Sequence, residues 1–383
     1  MGLVIGIDAT NLRGGGGVTH LVELLTAAEP SCHNISKIIV WGGQKTLSKI
    51  PERSWLQKVS PYFLNKGLIA RTFWQWLLLS RAVSEYNCHI LFVPGGSYIG
   101  SFKPVVTMSQ NLLPFEWYEL RRYRYTLLAL KLLILRYSQS RSFKISDGVI
   151  FLTAYARQAV LTVTGSLPGQ TTVIPHGLSP RFLMKPRTQQ QICDYNDDMP
   201  FRLIYVSSVD QYKHHWHVVT AVHNLRTKGF SIALDMAGPA YPPALRRLQG
   251  TMKLLDPQGQ WSHYYGEVPY ETLHTLYSKA DLGVFASSCE NMPNILLETM
   301  AAGLPVSCSN CGPMPEMLGD KGLYFNPENP NDIEQTLLKY VLSPKLREEK
   351  AQASFMYAKQ FLWKCCAVDT FSFIEKVAQQ HIK

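Results

Sequence analysis

The chain has 383 residues, which is more than one ordinary hydrophobic core accommodates and predicts two domains of roughly 150 to 200 residues each. With 46% hydrophobic and 17% charged residues, the composition fits neither a disordered chain nor a repeat array. The formal net charge of +10 favours polyanionic partners, namely nucleic acid, anionic lipid headgroups or phosphorylated ligands, and does not choose among them.

The first residues predict a strand and no signal peptide. Met1 is followed at once by the alternating apolar run 3–7, without a basic region, a long apolar region or a cleavage site. A cytoplasmic location is therefore expected, and there the eight cysteines are expected to be thiols. Cys308 and Cys311 form a CxxC pair, but no second pair follows at zinc spacing, so we expect no metal and no cofactor.

The first half of the chain alternates short apolar runs with helical stretches. This alternation is typical of a parallel sheet covered by helices. A helix is predicted at 18–28, and strands are predicted at 3–9, 37–41, 90–93, 104–108, 147–152 and 171–174.

A polar stretch without hydrophobic periodicity, residues 185–199, is the predicted linker. The predicted domains are therefore 1–184 and 200–360, followed by a tail with a helical pattern at 343–383. In the second domain, strands are predicted at 201–206, 232–237, 261–265, 281–286 and 305–308.

The most informative segment is 280–306, which predicts a buried strand, a short loop, a helix and another strand. Pro293 suits the first helical position, and Gly303 suits the position just past the last turn, where a positive φ is needed. The predicted helix, 293–302, therefore begins at the carboxyl end of a parallel strand. Free amides at such a helix N-terminus favour a diphosphate.

Two carboxylates, Glu290 and Glu298, bracket this helix N-terminus. Both can accept hydrogen bonds from sugar hydroxyls, so a diphosphate between them indicates a sugar nucleotide. The alternative is that Glu290 is a solvated charge at a helix start and Glu298 an ordinary surface acid.

These residues resemble a known family. The sequence SSCENMPNILLETMAAGLPV at 287–306 is similar to the E-x7-E signature of the retaining GT-B glycosyltransferases of family 4, with Pro293-Asn294 where many members carry Gly-Phe. The resemblance extends from end to end of the chain. It implies an α/β GT-B fold with two Rossmann-like domains facing a central cleft, and a C-terminal helix, 361–383, that crosses back to the first domain.

The resemblance also implies roles for the residues of the segment. Glu290 is expected to contact the transferred sugar and Glu298 to hold the ribose diol, while amides near Asn294, Ile295 and Leu296 receive phosphate oxygens. The other expected donor-side residues are Ser208, Lys213, Gly238 and Val268.

The segment 205–216, YVSSVDQYKHHW, follows the first predicted strand of the second domain. Family members usually have Gly-Arg and then Lys here, and the two cations neutralise the donor diphosphate. Lys213 fits the lysine and is expected to be catalytic together with Glu290. Ser207 or Ser208 occupies the arginine position, and a hydroxyl cannot offset charge as a guanidinium does. His214 and His215 are either phosphate contacts or members of a polar loop.

Other residues are expected on the acceptor side of the cleft. The glycine-rich loop contributes Gly15, Gly16 and Gly17, although a plain flexible turn would also explain it. Gln110 and Asn111 stand where many relatives have a histidine, and neither can act as a general base. The leaving phosphate oxygen is then expected to take the acceptor proton. His176 is assigned to the same side.

Two basic and apolar stretches, 66–81 and 121–141, are too short and interrupted to span a bilayer. They are either interfacial helices on a membrane or core-packing helices with basic outer faces.

The function expected from these features is retaining transfer of a hexose, with mannose as the specific guess, from a nucleotide-diphosphate sugar to a saccharide or lipid-linked acceptor in surface-polysaccharide or lipopolysaccharide synthesis. An anionic surface on the inner face of the cytoplasmic membrane is a candidate partner, and nucleic acid is not, because no recognised module is present. The alternatives are a sugar-nucleotide epimerase on the same scaffold and a catalytically weakened nucleotide-sugar-binding subunit.

Overall fold

The protein is described by a computed structural model that covers residues 2–381. The chain forms two compact units, one of residues 2–177 and 362–381 and the other of residues 178–361. Each unit is built on a parallel sheet with helices in the crossover connections. The predicted α/β class with two Rossmann-like domains is confirmed.

The first unit holds a seven-stranded parallel sheet in the order β3-β2-β1-β4-β5-β6-β7. Its strands are β1 Leu3–Asp8, β2 Ile35–Trp41, β3 Leu56–Val59, β4 Ile90–Val93, β5 Val105–Met108, β6 Gly148–Phe151 and β7 Gln170–Val173. Its helices are α1 Gly15–Ala27, α2 Gln44–Leu47, α3 Leu68–Leu77, α4 Leu79–Glu85, α5 Trp117–Leu120, α6 Leu127–Ile145 and α7 Ala154–Thr164. The strand predicted as buried at 171–174 is instead a partly exposed edge strand, since β7 has only one neighbour.

The second unit holds a six-stranded parallel sheet in the order β10-β9-β8-β11-β12-β13. Its strands are β8 Phe201–Val206, β9 Ile232–Ala237, β10 Ser262–Tyr264, β11 Leu282–Phe285, β12 Val306–Ser309 and β13 Leu323–Phe325. Its helices are α8 His215–Thr227, α9 Pro242–Leu255, α10 His274–Tyr277, α11 Asn294–Ala301, α12 Met314–Leu318, α13 Pro330–Leu342 and α14 Pro344–Ala358. This is the doubly wound order, and its direction reverses between β8 and β11.

The last helix, α15 Trp363–Gln379, packs against α1 in the first unit. The Trp363 ring lies 5.6 Å from the His20 ring, centroid to centroid. A Cβ at Gly177 would collide with the backbone of Trp363, so a glycine is required where the two segments meet. Of the predicted helix 361–383, residues 361 and 362 precede the helix, and residues 382–383 lie outside the described residues.

The boundary between the units differs from the predicted one. The first segment of the first unit ends at Gly177, and the predicted linker 185–199 belongs to the second unit. The Arg347 guanidinium, which is fully buried, donates to Gln189 Oε1 at 3.0 Å. The stretch has the polar composition of a linker, but hydrogen bonds to residues far along the chain hold it in the second unit.

Each of the two basic apolar stretches forms helical structure that packs against the core with only some of its side chains. Stretch 66–81 forms α3 and the start of α4, and stretch 121–141 leads into α6 and forms most of it. Both stretches bury part of their apolar side chains, Trp74 and Leu79 in the first and Leu132 in the second, so they do pack against the core. Both also expose other large apolar side chains. No helix within residues 2–381 has both the length and the apolar character needed to cross a bilayer.

Candidate active site

In the second unit, the loops that follow β8 and β11 meet where the strand order reverses. The amide of Ser288 donates to the carbonyl of Tyr212 at 2.8 Å, and His214 Nε2 lies 2.9 Å from Ser288 Oγ. In a doubly wound sheet, this reversal leaves a crevice at the carboxyl ends of the strands, which is where ligands bind.

Lys213 and Glu290 form an ion pair across these two loops. Their side chains are only 7% and 16% exposed. The Lys213 ammonium also lies 5.0 Å from the ring centre of Tyr212 and 5.2 Å from that of Phe285. A buried cation needs such compensation, and here a carboxylate and two aromatic rings supply it. The structure thus brings together the two residues expected to be catalytic.

The backbone next to Lys213 is held by a buried aromatic pair. The Tyr205 hydroxyl donates to the Lys213 carbonyl at 2.6 Å, and the His215 ring stacks on Tyr205 with 4.2 Å between centroids. Burial, with smaller contributions from Lys213 and His214, lowers the pKa of His215 to about 3. His215 is therefore neutral at neutral pH and contributes no charge to a phosphate site. Its contacts show that it positions the loop.

The structure distinguishes the two serines at the position where relatives have arginine. Ser207 is buried, and its Oγ lies 3.2 Å from His215 Nε2, whereas Ser208 is only half-buried. Ser208 is therefore the serine with room for a ligand.

Gly238 and Val268 lie beyond the carboxyl ends of β9 and β10. Gly238 has φ +144°, and a Cβ there would collide with the carbonyl of Ser207, so only glycine permits this close approach. The Gly238 amide donates to Gly266 O at 2.7 Å, and the half-buried Val268 follows in the same loop. Ser208, Gly238 and Val268 therefore follow neighbouring strands on the same edge of the sheet.

Helix α11 begins one residue later than predicted. Pro293 precedes the first helical residue with φ −82° and ψ +75°, so the expectation that it occupies the first helical position is wrong. The first three helical residues are instead Asn294, Ile295 and Leu296. Amides in the first turn of a helix have no intrahelical acceptor, so those of Ile295 and Leu296 are suited to an anion. The Asn294 amide donates to the Met292 carbonyl at 3.0 Å. Gly303, just past the helix, has the predicted positive φ of +68°.

Glu298 is buried in α11 and is not the surface acid of the alternative interpretation, since it is only 5% exposed. Burial raises its pKa to about 8, although a hydrogen bond from Tyr270 and the charge of Arg181 act in the opposite direction. The carboxyl is therefore mostly protonated at neutral pH. Its Oε2 atom has no hydrogen-bond partner among the described residues. A buried polar atom in this state is suited to a ligand group.

In the first unit, the glycine loop begins α1. The helix starts at Gly15, which has φ +64°, and a Cβ at Gly15 or Gly16 would meet no atom within 4 Å. A Cβ at Gly17 would lie 2.9 Å from Gln110 Oε1. The structure therefore places Gly17 and Gln110 side by side, while Gly15 and Gly16 are open to solvent.

The other two residues expected on the acceptor side have internal roles. Asn111 Oδ1 accepts a hydrogen bond from the Leu113 amide at 3.2 Å. His176 is buried, its Nδ1 lies 3.0 Å from His20 Nδ1, and burial lowers its pKa to about 4. The expectation for His176 is corrected, because its side chain packs beside His20 and Trp363 instead of lining an open surface.

The CxxC cysteines are separated in environment. Cys308 is buried in β12, where burial raises the pKa of its thiol, whereas Cys311 lies beyond the end of the strand. Within residues 2–381, no group of three or more His, Cys, Asp or Glu side chains is arranged to hold a metal ion.

Comparisons with known proteins agree with this geometry. Residues 185–355 match the family model described as glycosyl transferases group 1. Over 112 residues the chain is 36% identical to O-antigen chain mannosyltransferase B of Escherichia coli, a stretch that covers 29% of this chain and 29% of that protein. The chain thus aligns with about a third or less of the length of the curated relatives that it matches.

Two solved structures resemble the chain over nearly its whole length. Sucrose-phosphate synthase from Thermosynechococcus elongatus has a TM-score of 0.76 at 16% identity, and covers 99% of both chains. The Anabaena protein HepE, solved in complex with UDP-glucose, has a TM-score of 0.68 at 14% identity and also covers 99% of both chains. The chain has the GT-B fold.

Proposed function

We propose that the chain is a retaining glycosyltransferase of family 4 that moves a hexose from a nucleotide-diphosphate sugar to a saccharide or lipid-linked acceptor in surface-polysaccharide synthesis. The observation that carries the proposal is the ion pair between Lys213 and Glu290, which spans the reversal point of the second sheet beside the start of α11. The family match of residues 185–355 supports it independently.

The diphosphate is proposed to lie at the start of α11. The amides of Ile295 and Leu296 then donate to phosphate oxygens, and that of Asn294 joins them by giving up its bond to the Met292 carbonyl. The positive end of the helix dipole favours the charge. Lys213 exchanges its contact with Glu290 for one with phosphate. This exchange leaves the Glu290 carboxylate to accept hydrogen bonds from hydroxyls of the transferred sugar.

The nucleoside is proposed to lie against Glu298. A ribose diol can donate hydrogen bonds to the carboxyl, whose Oε2 atom has no partner among the described residues. Ser208 adds a hydroxyl without a positive charge, so the donor diphosphate is compensated by one lysine and by backbone dipoles.

In the proposed reaction, the bond from the anomeric carbon to the phosphate oxygen breaks while a bond to the acceptor oxygen forms on the same face. The departing phosphate oxygen takes the proton of the acceptor hydroxyl. Lys213 and the α11 amides stabilise the negative charge that develops on the diphosphate. The acceptor is proposed to contact the first unit around Gly17 and Gln110, where an amide side chain can orient a hydroxyl but cannot remove its proton.

The identity of the transferred sugar is the most specific part of the proposal. Mannose and a polysaccharide acceptor are supported by the name of the Escherichia coli relative, an O-antigen chain mannosyltransferase. A nucleotide-sugar donor is supported by the UDP-glucose complex of the Anabaena protein. Attachment to the inner face of the cytoplasmic membrane is also proposed, because a lipid-linked acceptor would be held there.

A substitution of Glu290 tests the proposal. Glu290→Gln keeps the shape of the side chain and removes its charge, and Glu334→Gln is the matched control, because Glu334 is also a mostly buried carboxylate paired with a lysine in the same unit. With GDP-mannose, UDP-glucose and a dTDP-sugar as donors, we expect Glu290→Gln to lower kcat by about a hundredfold or more. The control should stay within about twofold.

The anomeric configuration of the product, read by NMR, tests retention. An inverted product would refute the retaining mechanism. Donor binding without release of nucleotide diphosphate in the presence of any acceptor would refute transfer and support the binding-subunit alternative.

A further inference from the structure

We propose that the first unit docks on an anionic lipid bilayer through a surface that we call the α3–α6 face, formed by Ile69, Phe73 and Trp76 of α3 and by Leu130, Ile134 and Tyr137 of α6. The inference rests on the membrane attachment proposed above and names the surface that makes it. This surface lies apart from the residues assigned to the candidate active site, so the inference does not depend on the transfer chemistry.

Helix α3 buries Trp74 in the core and also exposes a row of large apolar side chains. Ile69, Phe73 and Trp76 are spaced to share one side of the helix, and all three are exposed, Ile69 by 87%. Gln75, in contrast, is buried and donates to Ser97 O at 3.1 Å and to Asp8. Helices on the surface of a water-soluble domain place their apolar side chains inward. Ile69 and Phe73 also line an open apolar groove of about 620 Å³.

Helix α6 exposes a similar row of large apolar side chains. Leu130, Ile134 and Tyr137 have the same spacing as the three residues of α3, and all are exposed, Tyr137 by 74%. The buried side combines apolar and polar residues, namely Leu132, Gln139, Ser142 and Phe143. Ser142 Oγ accepts a hydrogen bond from the Tyr98 amide at 2.7 Å. The helix is thus fixed to the unit by its buried side, while the row from Leu130 to Tyr137 faces outward.

Both helices are anchored to the same loop, the one that follows β4. Gln75 of α3 binds the carbonyl of Ser97, and Ser142 of α6 binds the neighbouring residue, Tyr98. Both helices are therefore held against the same loop, and each carries its apolar stripe on the side away from it. Exposed apolar surface of this extent, with aromatic members, marks a binding surface in a folded protein.

The charge around the α3–α6 face indicates which partner binds there. The stretches 66–81 and 121–141 contain lysines and arginines but no aspartate or glutamate. The exposed Lys131 lies within the α6 stripe, between Leu130 and Ile134. A second copy of the chain would bring two such cationic surfaces together across a two-fold axis, which is unfavourable. Anionic headgroups complement the charge, and the acyl boundary complements the apolar side chains and the aromatic rings.

Vesicle flotation tests the proposal with the whole chain. Phosphatidylcholine vesicles with about 30 mol% phosphatidylglycerol should bind the protein at low salt, and pure phosphatidylcholine vesicles should bind it about tenfold less or more weakly still. Raising the salt to about 0.5 M should weaken the binding to the anionic vesicles.

The decisive variant is Trp76→Asp with Ile134→Asp, one exposed position on each helix. We expect vesicle binding to fall by about tenfold or more. The matched control is Leu254→Asp, which changes a 78% exposed leucine in the second unit and should leave binding unchanged. Thermal unfolding and donor binding of the variant report whether it is folded. If the double variant does not fold, Arg124→Gln with Lys131→Gln replaces it, with a loss of about fivefold for each cation.

Three outcomes would overturn the proposal. The first is equal binding to neutral and anionic vesicles, and the second is binding that neither set of variants reduces. The third is a dimer, measured by light scattering, that the double aspartate variant converts to monomer while vesicle binding persists, which would assign the face to a second copy. None of these measurements follows sugar transfer, so failure here is distinct from failure of the proposed activity.

Discussion

In both units, the strand order of the sheet reverses beside the first strand, but different residues lie at this reversal point. In the second unit, an ion pair between Lys213 and Glu290 joins the loops after the first and fourth strands. In the first unit, the corresponding strand ends at Asp8, which is buried and bound internally by Gln75 and by the Thr10 amide. Burial raises the pKa of Asp8 even though both hydrogen bonds act against the shift.

This difference shows what one topology permits. In the second unit, charges are already fixed by buried partners, as a site that binds a diphosphate requires. The first unit instead offers the uncharged and exposed Gly15 and Gly16 next to its first strand. An uncharged and adaptable surface is suited to hydroxyl-bearing ligands, whose recognition depends on shape and hydrogen bonds.

The largest loss of activity is expected when the lysine of this ion pair is removed. Lys213→Ala deletes the cation and leaves the Glu290 carboxylate unpaired where the diphosphate is proposed to bind. We expect kcat/KM for transfer to fall by about a thousandfold, or about 4 kcal/mol, and the donor Kd to rise. Lys228→Ala is the control, since Lys228 also pairs with a glutamate in the second unit but is half-exposed. Unchanged donor affinity in Lys213→Ala would mean that the fixed charge is not a donor site.

The pH dependence of donor binding tests whether Glu298 contacts the ribose. Its pKa of about 8 in the free protein will fall if ribose hydroxyls donate to the ionised carboxylate. Affinity should then increase as the pH rises through about 8, by about tenfold between roughly pH 6.5 and 9. Calorimetry with an intact nucleotide sugar is the measurement, because its diphosphate does not titrate in this range.

The matched variant is Glu298→Gln, which should give a flat pH profile. An affinity that falls with rising pH in the natural protein would show that Glu298 binds as the protonated acid, and would contradict the expected direction.

The smallest effect is expected in the glycine loop. Gly15→Ala forces a side chain into a positive φ and should cost about 1 kcal/mol of the free energy of unfolding. Gly16→Ala meets no neighbouring atom and should change that energy by less than about 0.5 kcal/mol.

If the loop faces the acceptor, Gly16→Ala should raise the acceptor KM a few-fold while the donor Kd stays constant. A raised donor Kd would instead place the donor against the first unit, and the proposed division of roles between the units would be lost.

Local chemistry made much of the second unit predictable. The predicted strands 201–206 and 232–237 match β8 and β9 residue for residue, because buried parallel strands are apolar runs bounded by turns. The position of Gly303 follows from its backbone conformation alone. In contrast, β3 and β13 are edge strands of only four and three residues, too short to show a periodic pattern, and neither was predicted.

Contacts between distant residues set the limit of prediction. The burial of His176 depends on His20 and Trp363, which are far from it in the sequence. The orientation of α3 depends on Trp74 entering the core and on Gln75 meeting a loop that follows β4. The sequence pattern of 66–81 is compatible with either orientation of the helix, so only the folded unit shows which side faces outward.

The course of the chain makes the second unit an insertion within the first. Its first residue, Leu178, donates from its amide to the carbonyl of its last residue, Phe361, at 2.9 Å, so the inserted segment enters and leaves at one place. During synthesis, residues 178–361 are complete before α15 exists. The first unit therefore stays unfinished until the last helix emerges, and in the meantime the surface of α1 that α15 covers is exposed to other chains.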